Sequence, residues 1–480
     1  MTYDVTIIGC GVIGAAAAYM LSRYDLNVAV LEAENDVAVG TSKANSAIVH
    51  AGYDPMPGTL MAKLNVEGNR MISEIAGQLN VPIVHCGSLV VALTDSDVKL
   101  IRELYDRGIA NGVPELYLLD REETLKMEPN VSQEVKGSLY AKTGAVINPW
   151  DLTLAMAEVA VKNGVNLFRD KRVISIRKER GVFVLETSDG TEFRSRFVVN
   201  AAGVNSDSVH EMIGKKEFTV IPTKGEYFLL DKTEGGRVSS VIFQCPNELG
   251  KGVLVSPTVH GNLIIGPDAN VVTYRDDRST TSEGLDYVRK VGVRSVPSIS
   301  FRENIRNFAG VRANTEFDDF CIGESKTVKG FLNLAGIKSP GLTASPAIGK
   351  YACELLREMG LGMKEKMSYD NTREVVRFRE LSAEEKNEWI RRDPRYGRVI
   401  CRCETVTEGE IVASLHEVIP ARSIAGVKRR CNAGMGRCQG GFCSPRVAAI
   451  IARELGIDET EVLEDRAGSR VLVGKMKEDL

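Results

Sequence analysis

A strand, a glycine turn, a helix, a second strand and an acid follow one another within residues 5–32, and no other stretch constrains this chain as strongly. Val5-Thr6-Ile7-Ile8 is apolar and β-branched, Gly9-Cys10-Gly11-Val12-Ile13-Gly14 comes next, and an alanine-rich run continues to Arg23. The order predicts strand, tight turn and helix, with a separate task for each glycine. Gly9 takes the bend, Gly11 lets a pyrophosphate approach the backbone, and Gly14 lets the helix lie close to the strand. Phosphates would sit at the helix N-terminus, where unpaired N–H groups and the dipole favour negative charge. The second strand, Asn27 to Leu31, ends in Glu32, placed to accept hydrogen bonds from adenosine ribose hydroxyls. A glycine turn alone is weak evidence; this order of elements makes it a dinucleotide site.

A chain of 480 residues predicts about three domains. Its 43% apolar and 26% charged content is ordinary for a globular protein with a large core. A formal net charge of -3 offers nothing to nucleic acid or an anionic membrane. No run approaches the ~18 apolar residues of a membrane span. The apolar N-terminus lacks the basic leader of a signal peptide, so the expectation is a cytoplasmic protein, peripheral to a membrane only through a partner. Cys10, Cys86, Cys245, Cys321 and Cys353 stand singly, whereas Cys401, Cys403, Cys431, Cys438 and Cys443 crowd together. In a cytosolic protein such crowding points to metal or redox chemistry before disulfides.

Along the chain, Gly40 to Tyr53 is rich in small and hydroxyl residues that let backbone pass close to a flat ligand. Residues 60–135 read as polar helices with short strands, and Gly144 to Leu152 as a turn and cap before a helix Leu152 to Asn163, stopped by Gly164. Strands are predicted at Arg172 to Arg177, at Val182 to Thr187 and before the Asn200-Ala201-Ala202-Gly203 turn. From Phe218 the pattern becomes alternating strands with hairpin turns, an antiparallel sheet expected to roof the ligand, with His260 in a solvated turn. Phe331 to Gly349 reads as strand, glycine and proline turn, and helix; residues 362–398 are charged, low in apolar content, and read as a connection. The fold class is α/β plus α+β: a Rossmann-like domain, an antiparallel-sheet domain and a small helical cysteine domain.

These segments together resemble the FAD-dependent D-amino-acid-oxidase-like superfamily. The resemblance rests on the glycine turn, on Gly40 to Tyr53, on Val198-Val199-Asn200-Ala201-Ala202-Gly203, and on Phe308 to Arg312 with Phe331 to Gly349. It implies FAD, not NAD, held by Gly9, Gly11, Gly14 and Glu32, by Thr41, Ser42 and Ser46, by Val173 at the adenine, and by Ala202 and Gly203 near the pyrophosphate. Gly310, Gly336, Gly341, Leu342 and Thr343 would face the flavin. His50 matches a histidine near the flavin ring and is the candidate base; as a plain residue it reads equally as a hydrogen-bonded loop histidine. Arg312 resembles the arginine that grips a substrate phosphate or carboxylate, helped by Lys224 and Lys338, although a structural ion pair would also hold it. Leu254 stands where L-2-hydroxyglutarate dehydrogenases tend to have a histidine, and the lysine of the bacterial glycerol-3-phosphate dehydrogenase helix turn is missing at Pro340 to Ala344.

Cys401-Arg402-Cys403 and Cys438-Gln439-Gly440-Gly441-Phe442-Cys443 flank a capping box, Thr407 to Glu410, and Ser444-Pro445 opens a further helix. Four thiolates near helix N-termini suit a metal. The pairs resemble the bacterioferritin-associated-ferredoxin-like domain, which implies a 2Fe-2S cluster on Cys401, Cys403, Cys438 and Cys443; a single zinc also accepts four sulfurs. Cys431 is left over, for packing or as a substitute ligand.

The expected domains are 1–85, 140–215 and 325–360 for FAD, 86–139 and 216–324 as a substrate-binding cap, 361–398 as linker, and 399–480 for the cluster. The same fusion occurs among relatives of the large subunit of anaerobic glycerol-3-phosphate dehydrogenase. That resemblance implies oxidation of sn-glycerol 3-phosphate, a small anionic substrate, with electrons leaving through the cluster to a flavin-reductase or quinone-linked partner subunit in an oligomeric complex. A 2-hydroxy-acid or amino-acid dehydrogenase, or an electron-transfer subunit with no small substrate, remains an alternative.

Overall fold

A computed structural model describes residues 2–245 and 252–474; the end of the expected cluster domain, 475–480, lies outside the described residues. β1 (Thr2–Ile8) runs into α1 (Val12–Leu21) and then β2 (Val28–Leu31). β3 (Glu192–Asn200) lies parallel to β1 on its other side. β3 is forked: its first half pairs with the hairpin Val173–Glu179 and Val182–Thr187, and its last residues pair in parallel with β6 (Phe331–Ala335). The parallel strands are covered on both faces, which is why β1, β2 and β6 read as near-continuous apolar runs.

α1 is packed closely because it is built from small residues. Ala15, Ala16 and Ala17 are fully buried, and a Cβ at Gly349 of the helix α2 (Gly341–Glu358) would meet the Ala16 carbonyl oxygen at 2.6 Å. At the turn, Gly9 has φ +96 and sits against Ala201, where a Cβ would meet the carbonyl oxygen at 2.7 Å. Gly14 is tighter still, since its Cβ would lie 2.0 Å from the Gly9 carbonyl oxygen. Backbone stands on both sides of that contact, so Gly14→Ala is expected to cost about 3 kcal/mol through strain and to empty the flavin site. A thermal melt together with the flavin content of the purified variant checks this.

The second sheet is antiparallel except where Val241–Gln244 runs parallel to Ser88–Ala92. Its long central ribbon pairs β4 (Val220–Leu230) with β5 (Asn304–Thr315), placing Thr223 opposite Arg312 and Lys224 opposite Val311. The roof predicted from Phe218 onward is this sheet, completed by strands from residues 88–141.

The charged segment 361–398 is more structured than its composition predicts. It contains α3 (Ala383–Arg392), opened by a Ser382 and Glu385 capping box, and it buries Arg373 between Asp151 (2.8 Å) and Glu158 (2.6 Å). Ion pairs fasten it where apolar side chains are few. Beyond it, α4 (Glu408–His416), α5 (Ile424–Cys431) and α6 (Ser444–Leu455) form a small core around Ile411, Val427 and Ile451. The Thr407 cap of α4 closes with Glu410 as the sequence predicts. Among the described residues no helix is long and apolar enough to cross a membrane.

Candidate active site

One cavity of about 1930 Å³ runs between the two large sheets. One end is the dinucleotide turn: Gly9, Gly11, Val12, Glu32, Thr41, Ser42, Val173, Ala202 and Gly203 all line it. Ser42 Oγ accepts the Val12 N–H at 2.8 Å and so holds the 41–46 segment over the α1 N-terminus. Glu32 is buried; its Oε2 accepts from the Cys10 N–H (2.7 Å) and its Oε1 from the Glu34 N–H (3.0 Å). Burial nevertheless pushes the carboxyl up to about 7, against those bonds. A long cavity with small residues at the turn and an acid beside it at the end of β2 fits FAD.

The other end collects His50, Ser46, Lys224, Arg312, Lys338, Gly336, Gly341 and Leu342. His50 is clasped from several sides. Its N–H donates to Thr343 Oγ1 (2.8 Å), its carbonyl accepts from Asn69 Nδ2 (3.1 Å), its Nε2 lies 3.1 Å from Ser339 Oγ, and its ring packs 5.7 Å from that of Phe243. Such fixation sets an imidazole for proton transfer. Arg312 reaches across the neighbouring strand, where a Cβ at Gly225 would meet its Nη2 at 2.3 Å, and that nitrogen donates to the Asp268 carbonyl at 2.6 Å. Its Nε is buried with no hydrogen-bond partner, and Arg312 makes no ion pair among the described residues. Arg312 is half-buried and lines the cavity, and a guanidinium with no carboxylate partner there suits an anionic ligand.

The lysines are more committed. Lys224 is buried, its Nζ donating to Asp277 (3.0 Å) and standing 3.5 Å from Glu226; these partners hold its pKa above the usual value although burial works the other way. Lys338 Nζ donates to the Phe317 carbonyl at 3.0 Å. Gly14, Gly310 and Thr343 lie behind the wall. A Cβ at Gly310 would meet the Ala44 carbonyl oxygen at 1.9 Å, so this glycine is required for packing, and Thr343 positions His50. His260 corrects an expectation: it is half-buried, not solvated, with Nε2 3.3 Å from Asn148 Nδ2, and burial lowers its pKa to about 4. Asp268, Tyr227, Arg275 and Arg278 also line the cavity; their turn and strand contexts carried no local sign of it.

The four late sulfurs form two pairs. Cys403 Sγ lies 3.7 Å from Cys438 Sγ, and a hydrogen bond from Cys443 lowers the Cys401 thiol to about 6. Two sulfurs bound tetrahedrally to one metal at ~2.3 Å stand about 3.8 Å apart, so the Cys403–Cys438 pair has the span for one metal atom. Among the described residues no three His, Cys, Asp or Glu side chains gather around a single ion. Cys431 is half-buried; its Sγ donates to the Val427 carbonyl in its own helix, and desolvation raises its thiol pKa. The cluster loops rest on the second sheet through Lys232 to Glu404 and through Arg306 to Gln439, and Arg379 of the 361–398 segment also pairs with Glu404. β5 therefore runs from the cluster loop at Arg306 to the cavity wall at Arg312, about 20 Å at ~3.3 Å per residue.

This geometry is that of a flavin-dependent redox enzyme joined to an iron–sulfur module. Residues 4–355 match the FAD dependent oxidoreductase family, and residues 399–453 match the BFD-like [2Fe-2S] binding domain. The chain belongs to the FAD-dependent oxidoreductase family. It is 51% identical over 479 residues to a glycerol 3-phosphate dehydrogenase of Caloramator mitchellensis, covering 100% of both chains. It is 34% identical to a glycerol 3-phosphate oxidase of Mycoplasma genitalium, over 77% of this chain and 97% of the relative. Among solved structures, the dithionite-reduced L-alpha-glycerophosphate oxidase from Mycoplasma pneumoniae with FAD bound matches with a TM-score of 0.74 and 32% identity, covering 78% of this chain and 99% of that one. The family matches supply FAD and the 2Fe-2S cluster as cofactors.

Proposed function

We propose that the chain oxidises sn-glycerol 3-phosphate to dihydroxyacetone phosphate and delivers the electrons through its C-terminal cluster to a partner subunit or quinone. The observation that carries this reading is the full-length likeness to a glycerol 3-phosphate dehydrogenase, cluster domain included. When bound, FAD supplies a hydride acceptor and the cluster a one-electron carrier. Arg312, which lines the cavity without an ion pair among the described residues, grips the phosphate, and Lys338 adds charge at the same end. His50 removes the hydroxyl proton at Nε2, the nitrogen that faces Ser339. Leu254 lines the cavity where a 2-hydroxyglutarate enzyme tends to carry histidine, which disfavours a dicarboxylate.

The test is anaerobic bleaching of the flavin by a panel of substrates. Glycerol 3-phosphate should bleach it within turnover time, with L-2-hydroxyglutarate and amino acids inert. Bleaching by one of the latter alone would replace the substrate, and bleaching by none would leave an electron-transfer subunit.

Glu32 provides a second check. Its folded pKa, about 7, exceeds its ordinary 4.5, so its contribution to the stability of the cofactor-free protein is full below pH 4.5 and is lost as pH rises through 7. Ribose hydroxyls donating to the carboxylate favour the charged form, so FAD binding at about pH 6 should release a proton. Titration calorimetry in two buffers of different ionisation enthalpy measures it. Glu32→Gln should abolish the release, and a wild-type protein that released none would remove Glu32 from the ribose.

A further inference from the structure

The C-terminal segment after the cluster helices returns to the dinucleotide turn. Ile424 N–H donates to the Leu463 carbonyl (3.0 Å) and Ala425 N–H to the Glu464 carbonyl (2.7 Å), so the segment lies along the start of α5. Asp465 is then held on both sides of the cofactor turn. Its carbonyl accepts from Asn35 Nδ2 at 2.6 Å, just past Glu32, and its carboxylate binds Lys43, the residue after Ser42. The same carboxylate takes Arg429 Nη1 at 2.8 Å, and Arg429 continues to Asp36 at 2.8 Å. Asp465 thus ties the cluster domain to the two loops that flank the diphosphate position.

The next residue, Arg466, lines the cavity. Its backbone is fixed in a tight turn, with its carbonyl accepting from Ser469 N–H (3.1 Å) and Ser469 Oγ (2.6 Å). Its guanidinium makes no ion pair or hydrogen bond among the described residues. Arg278, another cavity residue with no ion pair among the described residues, stands near enough to Lys43 to repel it. Positive charge therefore gathers from three separate parts of the chain where the α1 N-terminus and Ser42 already favour phosphate. Among the described residues no carboxylate forms an ion pair with either guanidinium group.

We infer that Arg466 hydrogen-bonds the FAD diphosphate, so that the C-terminal segment closes the cofactor site and loading of FAD is coupled to docking of the iron–sulfur domain. The inference rests on FAD occupying this cavity. It adds a residue beyond 399–453, the extent of the cluster-domain match, to the flavin site. Linkage makes the coupling reciprocal: whatever Arg466 adds to FAD affinity, FAD adds to docking of the segment.

FAD is titrated into deflavinated protein, following quenching of flavin fluorescence, with cluster absorbance recorded for each variant. Arg466→Ala should weaken FAD binding by about tenfold, the factor carried by one charge-assisted hydrogen bond. Arg466→Lys should recover part of it, and cluster absorbance should stay unchanged. In wild type, FAD should slow tryptic cleavage after Arg466 and Arg470, a readout that needs no variant to fold. An Arg466→Ala affinity within about twofold of wild type overturns the inference, as does trypsin cutting the segment equally fast with and without FAD. Unchanged FAD affinity with a raised KM for glycerol 3-phosphate would also overturn it, reassigning Arg466 to substrate. Wild-type protein that binds no FAD would fail the flavin reading itself, a distinct outcome.

Discussion

Arg312→Ala is expected to lower kcat/KM for glycerol 3-phosphate by roughly a thousandfold, since removing one partner of a desolvated charge pair costs about 4 kcal/mol. Most of the loss should appear in KM. The phosphate is remote from the carbon that is oxidised, so its grip is common to the ground and transition states. Arg312→Lys should restore little. One Arg312 nitrogen is already spent on the Asp268 carbonyl, and the rest of the planar guanidinium directs its donors in a fixed fan that an ammonium cannot reproduce. The fold should tolerate the change, because no carboxylate among the described residues forms an ion pair with Arg312. Steady-state kinetics with an artificial electron acceptor, varying glycerol 3-phosphate, give the split between KM and kcat. A change below about fivefold would move the phosphate elsewhere on the wall, with Lys338, Arg278 and Arg466 among the remaining cations.

What could be read from the chain alone was its local chemistry. Gly9 and Gly14 announce themselves because a turn that crowded admits no Cβ, and the Thr407 cap because its partner Glu410 lies three residues away. Convergence over long sequence separations has no such mark. Nothing near Asp268 says that its carbonyl will catch Arg312, and nothing near Arg466 says that its turn will be pinned to Asn35 and Lys43. Composition misled at residues 361–398 for a physical reason: Asp151 and Glu158 lie on one helix face and bury Arg373 by ion pairing, so the segment docks with few apolar residues. Gly310 carried the right residue type with a different cause, its missing Cβ making room for the Ala44 carbonyl.

Cys403→Ser should separate the two halves of the reaction. Serine keeps the side chain's size but replaces a soft thiolate by a hard hydroxyl that holds iron poorly, and the change breaks the 3.7 Å pair with Cys438. The variant should lose its cluster absorbance and iron while still binding FAD, because the flavin cavity and the small core around Ile411, Val427 and Ile451 are built from other residues. Glycerol 3-phosphate should bleach its flavin anaerobically at the wild-type rate. Delivery to the one-electron acceptor that the wild type uses should fall to background, since β5 leads from the cavity to an empty loop. Cys431→Ser is the matched control: Cys431 is half-buried, donates within its own helix, and its replacement should leave iron and electron delivery intact. Iron analysis, stopped-flow bleaching and steady-state acceptor reduction on the two variants decide it. Full acceptor reduction by an iron-free Cys403→Ser protein would mean that electrons leave directly from the flavin cavity, and the C-terminal domain would then need another role.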